Sequence, residues 1–140
     1  VVELLNACNA DAKMYLNFTI AEKNKLEFET LLRLHKYKTG RLISASAKLG
    51  CLAADIPVKN EKFFAAVKYA EEIGLAFQII DDILDYKEGK RELNSFLSFM
   101  SLDEAMVYAN KLTESGIDAI RIYDDGTLTE LAKYLTTREY

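Results

Sequence analysis

The chain has 140 residues and a net charge of −4 from 18 basic and 22 acidic side chains; half of it is hydrophobic and 29% charged, which excludes disorder and low-complexity structure. One proline stands where average usage of ~5% would give about seven, and glycines number only six, so a turn-rich sandwich or barrel gives way to an all-α fold. No basic stripe serves a phosphate backbone, no apolar run approaches the ~18 residues of a membrane span, and Cys8 and Cys51 form no Cys-x-x-Cys pair, so nucleic acid, a transmembrane segment and zinc are set aside.

Residues 1 to about 12 read as a helix with Val1, Leu4, Leu5 and Cys8 on one side. Met14 to Ile20 is β-branched and aromatic-rich and could form a short strand. A long helical pattern then runs from Lys25 to about Ala54 through Leu31, Leu34, Leu42, Ala45 and Leu49, and Asp55-Ile56-Pro57 ends it. Asn60 is placed to cap the next helix, which runs to about Tyr86 and stops before Gly89. After a charged stretch from Lys87 to Asn94, Ser101 with Glu104 forms a capping box for a helix to about Ser115, with Gly116 as its C′ residue. Thr127 with Glu130 repeats that signature for a last helix through Leu131, Tyr134 and Leu135. The expectation is an antiparallel helical bundle, residues 1–140 forming one domain that is the ordered C-terminal part of a longer one; an opening at Val1 rather than Met fits a missing start, and nothing there resembles a signal peptide.

The sharpest feature is the run from Gly74 to Asp85, Gly-Leu-Ala-Phe-Gln-Ile-Ile-Asp-Asp-Ile-Leu-Asp. At about 100° per residue, and with Asp81 as zero, Asp85 falls near ~40°, Asp82 near ~100°, Gln78 near ~60° and Gly74 near ~20°. Three carboxylates, an amide and a gap left by the glycine thus share one wedge, while Ile79, Ile80, Ile83 and Leu84 make the rest of the helix apolar. Clustered like charges destabilise a helix, and burial multiplies the penalty. A hard divalent cation offsets it: magnesium takes oxygen ligands and is commonly held by one or two carboxylates plus substrate phosphates. The competing reading is a solvated acidic edge.

The second feature is Lys36-Tyr37-Lys38-Thr39-Gly40-Arg41-Leu42. With Lys38 at zero, Leu31, Leu34, Leu42 and Ala45 all lie within about 40°, which sets Lys38 in the middle of the inward stripe. A lysine there snorkels, pairs with an inward carboxylate or binds an anionic ligand such as a diphosphate. Gly40 inside a helix costs about 1 kcal/mol against Ala, so another group is expected to approach it closely. His35, the only histidine, has no Ser or Cys partner for a triad and reads as core or surface. Tyr134 and Arg138, at i and i+4, could reach a substrate or lie on the surface, and the cluster Lys87, Lys90, Arg91 is either solvated or a lid over a phosphate site.

With these residues in view, the chain resembles the trans-isoprenyl diphosphate synthases, the polyprenyl synthetases that include farnesyl and geranylgeranyl diphosphate synthases. Lys38-Thr39-Gly40 resembles the family's Lys-Thr/Ser-Gly motif, and Phe77-Gln78 followed by Asp81-Asp82-x-x-Asp85 its second aspartate-rich motif, with Gly74 in register. The closing Tyr134-Leu135-x-x-Arg138 has the same look. The resemblance covers nearly the whole chain as the C-terminal half of such an enzyme. The first aspartate-rich motif is absent, Met14-Tyr15-Leu16-Asn17 stands where a Gly-Gln-x-x-Asp element is expected, and the stretch from Lys87 to Asn94 is shorter than the family's loop.

The resemblance implies an isoprenoid-synthase-type bundle, apparently incomplete, and Mg2+-dependent head-to-tail condensation of an allylic prenyl diphosphate with isopentenyl diphosphate. It places Asp81, Asp82 and Asp85 at the metal, Lys38 on the allylic diphosphate, and Thr39 and Gln78 at the cation or the diphosphate. Phe77, Ile80 and Leu84 would line or back the prenyl channel. A homodimer is implied as well, and two lone thiols suit the reducing cytoplasm. Two other readings stand beside it: a non-catalytic or regulatory subunit of a heteromeric prenyl synthase, and a plain helical interaction domain with an acidic face.

Overall fold

The computed structural model describes residues 28–90 and 95–137, and every regular element among them is helical, as the composition requires. Helix α1 (Phe28–His35) passes through a π-helical turn (Lys36–Gly40) into α2 (Arg41–Ala53). Then come α3 (Glu61–Lys87), a 3-10 turn (Phe96–Ser98), α4 (Leu102–Ile120) and α5 (Thr127–Thr136). The helix expected up to residue 12 and the strand expected from Met14 to Ile20 lie outside the described residues, as do Cys8 and Arg138.

Local chemistry sets each helix end. After α2, Asp55 adopts a left-handed φ of 56°, tolerated by its short polar side chain, and the Ile56 and Asp55 amides return to the Cys51 and Leu52 carbonyls at 2.9 and 3.1 Å. Pro57 then blocks continuation. Asn60 Oδ1 accepts the Lys62 amide at 2.9 Å and opens α3. Gly89, with φ +82°, closes α3 by the same kind of turn: the Lys90 amide reaches the Asp85 carbonyl and the Gly89 amide that of Tyr86.

Two expected ends differ from those observed. The Ser101–Glu104 capping box is present, but α4 runs past Ser115 to Ile120, and Gly116 is an interior residue rather than a C′ cap. It is buried against α3, where an added Cβ would sit 3.1 Å from Ile73 Cδ1, so this glycine serves close packing. At α5 the cap is not Thr127 with Glu130. Gly126, at φ +105°, turns the chain so that Asp125 accepts the Thr127 amide and Asp124 those of Leu128 and Thr129. Two acidic side chains just upstream of the free amides satisfy them first.

Helix α3 is the centre of the fold. It packs chiefly against α4, and Leu31, Ile79, Ile80, Ile83, Phe96, Ala105 and Ala109 form one buried cluster around its C-terminal half. Tyr69, Ile73, Ile117, Ile120 and Ala132 form a second around its N-terminal half, closed by the Tyr69 hydroxyl, which donates to the Leu128 carbonyl at 2.7 Å. Leu131 and Tyr134 of α5 are exposed, Tyr134 by 70%, while Ala132 and Thr136 face inward.

Candidate active site

The helix that begins at α1 crosses α3 antiparallel: Gly40 meets Gly74, and His35, further back, meets Gln78, further on. A Cβ on Gly74 would lie 3.2 Å from the Gly40 Cα, so glycine here permits backbone contact. That is the close approach expected of Gly40, although Gly40's own missing Cβ would meet only ordinary van der Waals contacts, Lys36 Cγ at 3.8 Å and the His35 carbonyl oxygen at 4.0 Å. Gly74 is therefore a packing contact and leaves no gap beside the carboxylates. The crossing lays the Lys38-Thr39-Gly40 segment directly on the helix that carries the aspartates.

Lys38 does not stand in the inward stripe. The Arg41 amide bonds to the Lys36 carbonyl, five residues back, and a turn of that kind spends one more residue than an α-turn. The wheel drawn at a constant 100° therefore loses phase across Lys36–Gly40. Leu31, Leu34 and His35 are buried, and from the end of the π turn the buried positions resume at Gly40, Ser44 and Ala45. Lys38 emerges exposed, Leu42 is 46% exposed and Thr39 is half-buried. Among the described residues Lys38 makes no ion pair. Lys36 pairs with Glu71 at 3.7 Å, and the Arg41 guanidinium lies over the Tyr37 ring at 3.6 Å.

The carboxylates divide between two edges of α3. Gln78 and Asp82, one turn apart, face His35 and the 3-10 turn. His35 is 4% exposed, its ring stacks on Phe96 at 4.7 Å, and its Nδ1–H donates to Gln78 Oε1 at 3.1 Å. Asp82 Oδ2 accepts the Phe96 amide at 2.7 Å and lies 3.9 Å from His35 Nε2. Gln78, expected at the substrate, is thus only 4% exposed, and its amide oxygen is engaged by His35. Asp81 and Asp85 share the other edge. Both are half-buried, and Asp85 Oδ1 takes Lys90 Nζ at 2.9 Å, while Lys90 also reaches Glu88 at 2.8 Å. These two bonds raise the Lys90 ammonium above its ordinary pKa, the Glu88 bond contributing most.

Among the described residues no three carboxylate, imidazole or thiol groups converge on one point, because the 100° step and the Phe96 amide carry Asp82 away from Asp81 and Asp85. The donor chemistry nonetheless fits a hard cation: two carboxylates on one helix edge match the mode in which one or two carboxylates act together with substrate phosphates. Phe77 and Leu84 are half-buried and Ile80 is fully inside. The Lys90 part of the basic cluster closes the turn after α3, and Arg91 lies outside the described residues. A groove of about 290 Å³ between α1, α3 and α4, lined by Leu32, Gly40, Glu71, Leu75, Tyr108 and Leu112, includes neither Lys38 nor any of the three aspartates.

His35, read as core or surface, is core, as its place four residues after Leu31 on the inward stripe allows, but its partners Gln78 and Asp82 and the Phe96 amide were not foreseen. No sequence signal existed for a backbone amide supplied from 14 residues beyond Asp82.

Comparison with known proteins places these motifs in context. The polyprenyl synthetase family profile matches residues 9–96. The chain is 33% identical over 122 residues to a geranylgeranyl diphosphate synthase of Cyanophora paradoxa, covering 79% of this chain and 40% of that protein. It is 32% identical over 141 residues to the farnesyl diphosphate synthase of Escherichia coli strain K12, covering 84% and 45%. The crystal structure of an FPP/GFPP synthase from Zymomonas mobilis superposes with a TM-score of 0.77 at 26% identity, over 96% of this chain and 50% of that one. The chain spans less than half the length of these two curated relatives.

Proposed function

Because the chain belongs to the polyprenyl synthetase family, we propose that it carries the diphosphate-binding half of a trans-prenyltransferase site, one that condenses an allylic prenyl diphosphate with isopentenyl diphosphate. The observation that carries this reading is the Gly40–Gly74 crossing, which sets Lys38-Thr39 and Asp81-x-x-x-Asp85 on two helices in backbone contact. In the reaction the allylic C–O bond breaks and its electron pair leaves with diphosphate. The isopentenyl double bond then attacks the allylic carbon, and loss of a proton restores an alkene.

Each residue contributes where charge develops. Asp81 and Asp85 would hold Mg2+, which when bound neutralises charge on the departing diphosphate. Asp82, on the other edge and fixed by the Phe96 amide, would hold the helix that presents Asp81 and Asp85. The exposed Lys38 ammonium supplies a fixed positive charge for the allylic diphosphate, and Thr39 stands beside it as a hydroxyl donor. Gln78 holds the helix face through His35. Phe77 and Leu84 border the prenyl chain, with Ile80 packed behind them, and this apolar wall keeps water from the cation. A homodimer and a cytoplasmic setting complete the reading; among the described residues no helix is long and apolar enough to cross a membrane.

The test is prenyl transfer from an allylic diphosphate to isopentenyl diphosphate under saturating Mg2+, comparing wild type with Asp81→Ala. Loss of an electrostatic stabiliser of the leaving group lowers kcat by a factor on the order of 10². Wild-type turnover in the variant would end the assignment.

A further inference from the structure

His35 lies at the point where three features of this chain meet. It is the last residue of α1, directly before the π turn that carries Lys38 outward. Its Nδ1–H is donated across the helix crossing to Gln78, one turn before Asp82, and its ring lies flat on Phe96, whose amide holds Asp82. The π turn is thus held at both ends by α3, through the His35–Gln78 bond at its start and the Gly40–Gly74 contact at its end. Both members of the bond are 4% exposed, so neither can exchange its partner for solvent. His35 Nε2 is buried without a hydrogen-bond partner among the described residues, a cost a core would remove by substituting a phenylalanine.

From this geometry we propose that His35 is a positioning residue for diphosphate binding: its bond to Gln78 fixes the start of the π turn and thereby the direction in which Lys38 leaves the helix relative to the Asp81–Asp85 edge. Without the bond, this stretch keeps the Lys36–Glu71 pair at 3.7 Å, but both of its side chains are largely exposed and such a pair holds the phase of α1 against α3 only weakly. The five-residue turn then relaxes toward the α pattern, and Lys38 rotates toward the inward stripe that a regular helix would give it. This inference rests on the functional reading above, since it concerns how the proposed Lys38 site is held.

Three variants, made in the protein as encoded, separate the roles of the ring and of the donor. His35→Phe keeps the ring and its stacking on Phe96 but loses the donor. His35→Asn keeps a donor near the Nδ1 position and loses the ring. His35→Phe combined with Gln78→Leu removes both polar partners, leaving no buried amide unsatisfied. The readouts are the affinity for inorganic pyrophosphate with Mg2+, by titration calorimetry, and the KM for the allylic diphosphate, with thermal unfolding followed in parallel. A displaced Lys38 predicts about tenfold weaker pyrophosphate binding and a matching rise in KM for His35→Phe. His35→Asn should stay within about threefold of wild type, and the double variant should regain stability but not affinity.

A purely structural role reverses the order, with His35→Phe near wild type and His35→Asn impaired, and that result overturns the inference. So does wild-type affinity in His35→Phe. Wild-type protein that neither binds pyrophosphate nor transfers a prenyl group overturns the functional reading along with it, so the two failures are told apart by the wild type alone.

Discussion

Lys38 and Asp81 carry opposite charges toward the same proposed ligand, and their loss should read out differently. On the proposed reading Lys38 would touch the diphosphate in the ground state as well as the transition state, so Lys38→Ala should raise the KM for the allylic diphosphate and lower kcat together. Asp81→Ala should act mainly on kcat. Lys38 is exposed and without an ion pair among the described residues, so its removal should leave the unfolding temperature unchanged, and a large drop would show a structural role instead. Asp82 should behave unlike either neighbour. Its carboxylate holds the Phe96 amide, so Asp82→Ala leaves a buried donor unmet and should cost about 1–3 kcal/mol of stability, measurable by urea unfolding.

At the scale of elements, the glycines of the crossing are not equivalent. Gly74→Ala pushes a methyl to 3.2 Å from a backbone atom that cannot swing aside, and overpacking of this kind costs on the order of 1–3 kcal/mol. Gly40→Ala meets only ordinary van der Waals contacts and can gain up to about 1 kcal/mol of helix propensity. Urea unfolding of the pair should therefore show opposite signs; equal losses would mean that the crossing is looser than its distances. The capping box of α4 offers a pH test. Hydrogen bonds from the Ser101 amide and then its hydroxyl hold the Glu104 carboxyl below its ordinary 4.5. A carboxyl lowered in the folded chain contributes stability above its unfolded pKa and loses it as pH falls through the folded value. The stability gap between wild type and Glu104→Ala should thus be widest near pH 7 and shrink by pH 3, in thermal unfolding at the two values. Both the box and Asn60 were legible in the sequence because a cap needs only residues within three or four positions. The π turn was not, because no local pattern distinguishes a five-residue turn from four.

At the scale of the molecule, the two buried clusters divide α3 between them, and only one adjoins the site. Phe96, fully buried, stacks on His35 and meets Phe28 edge-on at 6.2 Å, so Phe96→Ala should cost about 3–5 kcal/mol and impair prenyl transfer as well. Ile120→Ala, in the cluster toward α5, should cost about 2–5 kcal/mol and leave the KM for the allylic diphosphate unchanged where the protein remains folded. Unfolding and steady-state kinetics on both variants check this, and a KM shift in Ile120→Ala would show that the clusters act as one.

The sequence by itself determined the all-α class, the hairpin of two long helices, most of the caps, and the motifs that place the chain in its family. Each of these depends on residue type and on spacing within a turn or two. Tertiary structure alone decided which way the motif residues face. Asp82, already a 100° step from Asp81, is held there because an amide 14 residues away claims it, and Lys38 emerges because the helix beneath it is bonded five residues back. Gln78 is drawn inward by a histidine 43 residues earlier in the chain. Helical periodicity assigns faces only while the turn stays regular and no distant group competes, and at this site neither condition holds.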